Sequence, residues 1–207
     1  MRDEIKPVLQ PAFSISTQRF IVELDHAQPY IIKVRNLLSS DECQQLINRF
    51  EVDTPSLATV NTIHGAQVRL GVRNNERVMF TDFELATRLF QRAEPHIPGE
   101  IQGLKLVGVN ELFRCYRYKP GMRFAPHPDG AFHRNEREQS CFTFMVYLND
   151  DFEGGHTTFL VTPEISVKPL TGMALFFQHP LIHEGSLVTK GVKYVLRTDV
   201  MYRKSAT

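Results

Sequence analysis

An α+β fold, with two helices preceding a β-sandwich or barrel, is predicted by three features of this chain. Helical apolar periodicity is confined to the stretch before residue 95. From about residue 104 onward, apolar and aromatic runs of strand length are separated by Pro-Gly, Asp-Gly and Gly-Gly punctuation. The 207 residues, 42% hydrophobic and 23% charged, are enough to bury one substantial core.

Taken in order, residues 1–17 are mixed in character, carry Pro7 and Pro11, and read as a loose lead-in. The first helix follows Ser39, which stands three residues before Glu42 in capping-box spacing. Cys43, Leu46, Ile47 and Phe50 then fall on one helical face. The second helix follows Thr81, with Glu84 three residues on. Phe83, Leu89, Phe90 and Ala93 supply its apolar residues, and Pro95 marks its end. Strands are predicted over Leu104–Val109, Glu111–Tyr118, Cys141–Leu148, His156–Val161, Ile165–Val167, Met173–Gln178 and Val192–Tyr202. In the last of these, Lys193, Val195, Arg197, Asp199 and Met201 share one side by alternation. If that side faces an interior, its cations need an anionic partner, because an unpaired buried charge is costly. On an edge strand the same pattern is a solvated face.

A formal net charge of +1 gives no electrostatic reason for a nucleic-acid or membrane partner. Cys43, Cys115 and Cys141 are odd in number and widely spaced. They form neither a disulfide framework nor a CxxC zinc pattern, so a reducing compartment is expected. The opening residues lack the apolar core of a secretory signal, and no apolar run approaches the ~20 residues that cross a bilayer. The expected location is cytoplasmic.

The chemistry concentrates around Phe124-Ala125-Pro126-His127-Pro128-Asp129-Gly130. In an extended segment His127 and Asp129 project to the same side, so an imidazole nitrogen and a carboxylate oxygen can converge on one ion. His183, 54 residues after Asp129, supplies a third ligand. Two histidines and one carboxylate on one face leave three open positions on an octahedral ion, the pattern of non-haem iron(II) oxygenases. An HxD pair alone is a weak signal, and Pro-His-Pro-Asp-Gly is also what a surface turn looks like. His179 precedes His183 by four residues, but Pro180 prevents helical display, so His179 is read as structural or as supporting the ligands. His133 lies in a polar loop expected to border the substrate entrance. His26, His64 and His96 read as surface residues.

These motifs resemble, over about Ile31 to Tyr202, the prolyl 4-hydroxylase-like branch of the iron(II)/2-oxoglutarate dioxygenases. The resemblance rests on Tyr118-Lys119-Pro120-Gly121 leading into Pro126-His127-Pro128-Asp129; on Met145-Val146-Tyr147-Leu148-Asn149 followed by Glu153-Gly154-Gly155-His156-Thr157; on Gly172-Met173-Ala174-Leu175-Phe176-Phe177; and on His183 followed by Gly191 and Lys193. Leu37-Leu38-Ser39-Ser40-Asp41-Glu42-Cys43 resembles the family's first helix start. The resemblance implies a double-stranded β-helix (jelly-roll) barrel over 31–207, after a lead-in of residues 1–30. It implies His127, Asp129 and His183 as iron(II) ligands. It implies Lys193 as the cation for the distal carboxylate of 2-oxoglutarate, with Tyr118 and Thr157 donating to the same carboxylate. Ascorbate is an implied reductant.

Two positions depart from the family pattern. His156 stands where Glu is usual. Arg197 stands at an inward position where many relatives carry a small or neutral residue; it could seat 2-oxoglutarate or a substrate carboxylate, and a shifted register would make it the anchor in place of Lys193. The implied reaction uses dioxygen and 2-oxoglutarate to hydroxylate an unactivated C–H bond, yielding succinate and carbon dioxide. A peptidyl proline, a free amino acid and another small metabolite are the substrate candidates. The early segment with Arg69, Arg73, Asn74, Asn75 and Arg77 is either a substrate groove or a solvated loop. A non-catalytic metal- or 2-oxoglutarate-binding sensor is the alternative from another class. Nucleic-acid demethylation would call for a basic groove in a chain that is nearly neutral.

Overall fold

A computed structural model of the chain describes residues 2–5, 23–62 and 65–205. Every strand pairing in it is antiparallel. The larger sheet has eleven strands, and its main path runs Arg2–Ile5, Ile31–Val34, Ala174–Gln178, Glu138–Tyr147, Lys193–Lys204, Leu112–Tyr118, Glu76–Thr81 and Ser56–Leu57. The smaller sheet has four strands, in the order Phe124–His127, His183–Gly185, Thr157–Phe159 and Ile165–Val167. The two sheets keep separate hydrogen-bond ladders, so the expected jelly roll is present as two layers and not as a closed ring. Among the described residues no helix is long and apolar enough to cross a membrane.

Alternation along the strands of the larger sheet separates two cores. Phe113, Cys115, Phe142, Phe144, Phe176, Leu196 and Tyr202 point to one face, where Cys43 and Phe50 of helix α1 (Ser40–Val52) and Leu85, Leu89 and Ala93 of helix α2 (Phe83–Ala93) cover them. Tyr116, Tyr118, Tyr147, Leu175, Phe177 and Val195 point to the other face. There they meet Phe159 and Val188 in a second core between the sheets. The register pairs Tyr147 with Val195 and Lys193 with Tyr118, which fixes Lys193 and Arg197 on the inter-sheet side. The predicted two-sided pattern of this strand therefore looks inward.

The first helix begins as its sequence indicates. Ser39 Oγ accepts from Glu42 N at 3.2 Å, and Glu42 Oε2 accepts from Ser39 N at 2.9 Å. Glu42 also takes a two-pronged contact from Arg92 of α2, at 2.8 and 2.9 Å, which ties the helices together. The second helix is capped one residue later than expected. Asp82, not Thr81, accepts from Leu85 N at 2.9 Å. An Asp carboxylate at that position bonds the orphan amide and also favours the helix dipole. Phe83 is 69% exposed and contributes nothing to the core; Leu85 and Ala86 are buried in its place.

Several strands were not expected from sequence, among them Phe124–His127 and His183–Gly185 of the smaller sheet. Arg2–Ile5 pairs with Ile31–Val34 at the edge of the large sheet, Ile31–Val34 itself pairs with Ala174–Gln178, and Glu76–Thr81 pairs with Leu112–Tyr118. Met1 and residues 6–22 of the lead-in lie outside the described residues, as does His64. Cys43, Cys115 and Cys141 are all buried free thiols.

Candidate metal centre

His127 ends one strand of the smaller sheet, His183 begins its neighbour, and the two face each other in register. Asp129 follows two residues after His127. Its backbone N–H donates to the His179 carbonyl at 2.9 Å, which turns the chain so that the carboxylate joins the imidazoles. One potential ligand atom from each of the three residues lies within 4.8 Å of the others. The separations are 3.8 Å from His127 Nε2 to Asp129 Oδ1 and 3.7 Å from His183 Nε2 to Asp129 Oδ2.

Backbone acceptors fix the tautomers of both rings. His127 Nδ1 lies 2.7 Å from the Ala125 carbonyl, and His183 Nδ1 lies 2.9 Å from the Leu181 carbonyl. A carbonyl only accepts, so Nδ1 carries the proton and Nε2 keeps its lone pair for a metal. Burial and the neighbouring His183 push His127 down to about 3, and burial lowers His183. Burial opposes ionisation of Asp129, but Arg197 and the two histidines outweigh it and hold the carboxyl below its usual range. Two neutral imidazoles and one carboxylate are the protonation states that metal coordination requires.

The carboxylate is gripped from behind. Arg197 Nη2 lies 2.9 Å from Asp129 Oδ1, and Thr143 Oγ1 donates to Asp129 Oδ2 at 2.5 Å. With that hydroxyl proton committed, Thr143 accepts from His179 Nδ1 at 3.1 Å, and His179 Nε2 then accepts from Ser140 Oγ at 2.8 Å. Ser140 Oγ in turn accepts from Phe132 N at 2.8 Å, just beyond the metal-ligand turn. His179 thus holds the carboxylate through Thr143 and is not in the cluster of three. His133 is exposed on a short edge strand, Arg134 pairs with Glu111 and Glu138, and His156 lies 3.1 Å from Ser166 Oγ.

The other expected residues share one pocket with the histidines: Tyr118, Thr157, Lys193 and Arg197 all line it. Lys193 is 3% exposed. Its Nζ donates to the Gly155 carbonyl at 2.5 Å and lies 5.2 and 5.5 Å from the ring centres of Tyr118 and Tyr147. No carboxylate among the described residues pairs with it, and burial pushes its pKa down to about 7. The Gly154-Gly155 turn makes this arrangement possible. Both glycines have positive φ, and a side chain at Gly154 would lie 2.2 Å from the Leu187 carbonyl oxygen.

Two further residues bear on the pocket: Tyr147, to which the sequence assigns no role, and Arg73, named there only within a segment read as either a substrate groove or a solvated loop. Tyr147 donates to Thr157 Oγ1 at 2.7 Å beside Lys193; its position on the inward face of its strand, two residues from Met145, was the available signal. Arg73 reaches the pocket from the early segment. Its guanidinium lies 4.5 Å from the Tyr116 ring centre and 4.2 Å from that of Phe124. The segment joins the site through a bridge between Arg73 and Phe124 and an Ala125 N–H bond to the Val72 carbonyl at 2.8 Å. No local sequence pattern marks that crossing.

The model of the 2OG-Fe(II) oxygenase superfamily matches residues 113–198, the span that carries all three candidate ligands and Lys193. Prolyl 4-hydroxylase 1 of Arabidopsis thaliana is 31% identical over 166 residues, 72% of this chain. The chain spans 57% of that protein's length. A putative prolyl 4-hydroxylase of Acanthamoeba polyphaga mimivirus is 25% identical over 201 residues, covering 86% of this chain and 75% of the viral one. Among solved structures, the viral collagen prolyl hydroxylase of Paramecium Bursaria Chlorella virus-1, in its 2-oxoglutarate complex, superposes with a TM-score of 0.57 at 23% identity, covering 83% of this chain and 96% of that one. A Trichoplax adhaerens prolyl hydroxylase, solved with a hypoxia inducible factor peptide, gives a TM-score of 0.63 at 17% identity, with 83% of each chain covered. At these identities the two structures bear on the fold alone. The family match over residues 113–198 lies on the His-Asp-His cluster, and the curated relatives are prolyl 4-hydroxylases, which supports a 2OG-Fe(II) oxygenase of the prolyl 4-hydroxylase-like branch.

Proposed function

We propose that this chain is an iron(II)- and 2-oxoglutarate-dependent dioxygenase that hydroxylates an unactivated C–H bond and releases succinate and carbon dioxide. The observation that carries the reading is the convergence of His127 Nε2, His183 Nε2 and the Asp129 carboxylate beside a buried lysine that has no carboxylate partner among the described residues. His127, Asp129 and His183 would hold iron(II). When bound, iron and 2-oxoglutarate would supply the oxidising chemistry with dioxygen.

The remaining roles belong to this chain's own groups. Lys193 would pair with the distal carboxylate of 2-oxoglutarate, because a buried cation with one backbone acceptor can still take an anion. Tyr118, pushed up to about 12 by burial, keeps its proton as a hydrogen-bond donor. Thr157 adds a hydroxyl to the pocket, held in place by the Tyr147 hydroxyl that donates to it. Arg197 would hold Asp129 in place, its engagement with that carboxylate arguing against its serving as the 2-oxoglutarate anchor. Ascorbate as reductant, a peptidyl proline or small molecule as substrate, and a cytoplasmic setting complete the proposal. The three buried free thiols favour a reducing compartment.

The test is succinate formation by purified protein given iron(II), 2-oxoglutarate and ascorbate, alongside direct binding of Mn(II) and 2-oxoglutarate. Binding of both with metal-dependent succinate supports the enzyme. Binding of both without succinate under any substrate favours the sensor reading, and binding of neither removes the proposal.

A further inference from the structure

We propose that the primary substrate carries a carboxylate and that Arg73 receives it beside the metal ligands. This rests on the dioxygenase reading and names the substrate class of the same site.

The charges around the pocket do not balance within the chain. Asp129 is taken by Arg197 at 2.9 Å, and Asp199 by Arg114 at 3.2 Å. Lys193 and Arg73 are then left without a carboxylate among the described residues. The cosubstrate accounts for one of them. Of its two carboxylates, one would join the oxo group on the metal and the other would go to Lys193. Arg73 still lacks an anion.

Arg73 is built as a receiver. It is 5% exposed, so its charge cannot be left to solvent. Nε donates to Asn75 Oδ1 at 2.7 Å, which fixes the guanidinium plane, and Asn75 is itself fully buried. Nη2 is buried with no hydrogen-bond partner among the described residues. Arg73 lies over the rings of Tyr116 and Phe124, and the neutral hydroxyls of Tyr116 and Tyr118 are its polar neighbours, so nothing here supplies a negative charge. A carboxylate matches that planar fork in shape and charge. Glu184 also lines the pocket, but its carboxylate accepts from Ser186 Oγ at 2.8 Å and forms no ion pair with Arg73.

The placement also constrains the substrate. Phe124 stacks on His127 with ring centres 3.5 Å apart, so one ring separates Arg73 from a candidate metal ligand. Arg197 Nε is likewise buried without a hydrogen-bond partner among the described residues. Burial opposes ionisation of Tyr116, yet Arg73, Arg197 and Arg114 draw its hydroxyl below the usual range, the mark of a locally positive wall. The acid group therefore sits close to the carbon that is oxidised, as in a free amino or imino acid, or in a peptide whose acidic residue adjoins the target.

The experiment is calorimetric titration of the full chain loaded with Mn(II) and 2-oxoglutarate, using matched acids and amides: L-proline against L-prolinamide, propionate against propionamide, and acetyl-prolyl-aspartyl amide against acetyl-prolyl-asparaginyl amide. At least one acid should bind at least tenfold tighter than its amide, and that preference should vanish in Arg73→Gln and partly return in Arg73→Lys. Preference for L-proline or propionate marks a free acid; preference confined to the aspartyl peptide marks a peptide source. The wild-type comparison stands even if a variant fails to fold. Equal binding of acids and amides, or an Arg73→Gln loss that falls on 2-oxoglutarate, overturns the proposal. Failure of 2-oxoglutarate to bind the Mn(II) protein is instead a failure of the dioxygenase reading.

Discussion

Replacing Lys193 by Met removes the charge while keeping a flexible apolar stem against Tyr118 and Tyr147. Removing one partner of a buried, hydrogen-bonded charge pair costs about 2–5 kcal/mol, which at about 1.4 kcal/mol per factor of ten corresponds to roughly 30-fold to several thousandfold in Kd. A value near 100-fold at pH 7 is expected, because burial has brought Lys193 to about 7 and the free lysine is only partly charged there. The sign follows from that depression. Between about 7 and the ordinary value of 10.5, the unfolded chain holds a proton that the folded, unliganded chain has lost. Stability without ligand therefore rises with pH across this window. Binding of 2-oxoglutarate moves the opposite way, weakening about tenfold per pH unit above 7, because the anion must recruit the proton that the lysine has given up. In Lys193→Met both dependences flatten, and the unliganded variant melts higher than the parent at pH 7 and below. The assay is calorimetric titration of 2-oxoglutarate into Mn(II)-loaded protein from pH 6.5 to 8.5. A Lys193→Met Kd within threefold of the parent, or a larger loss in Arg197→Gln, would refute the assignment of the anchor.

Three further outcomes are expected. Asp129→Ala abolishes metal binding and metal-dependent succinate formation while the circular dichroism spectrum stays folded; retained turnover would remove Asp129 from the ligand set. Thr143→Ala, which cuts the link from His179 to the Asp129 carboxylate, weakens Mn(II) binding about 10–100-fold in titration, and an unchanged affinity would mean that the network does not orient the ligand. Asp82→Ala lowers stability by about 1 kcal/mol in chemical denaturation, whereas Thr81→Ala does much less, because only Asp82 caps the second helix.

How far the sequence could be read depended on whether a feature was local. The capping box at Ser39 and the inward alternation of Lys193 and Arg197 involve residues a few positions apart, and both are found in the structure. The cap of the second helix shifted by one residue because Thr81 and Asp82 are both competent acceptors, and only backbone geometry chooses between them. Strands such as Ile31–Val34 and Glu76–Thr81 are short or mixed in polarity and owe their state to the neighbours they pair with. At the site, the ligand spacing and the glycine turn are sequence patterns. Arg73 was legible only as one cation of a segment that could be groove or loop, since its reach to Phe124 spans about fifty residues of chain and shows only in its burial against two rings. Likewise, Arg197 was legible as an inward cation, but its partner Asp129 was settled by three-dimensional proximity.

Anomalous scattering from crystals soaked in Mn(II) addresses the metal centre most directly. The expected result is a single strong peak about 2.0–2.2 Å from His127 Nε2, His183 Nε2 and an Asp129 carboxylate oxygen. A peak bound by other residues, or none at saturating metal with these three side chains ordered, would contradict it.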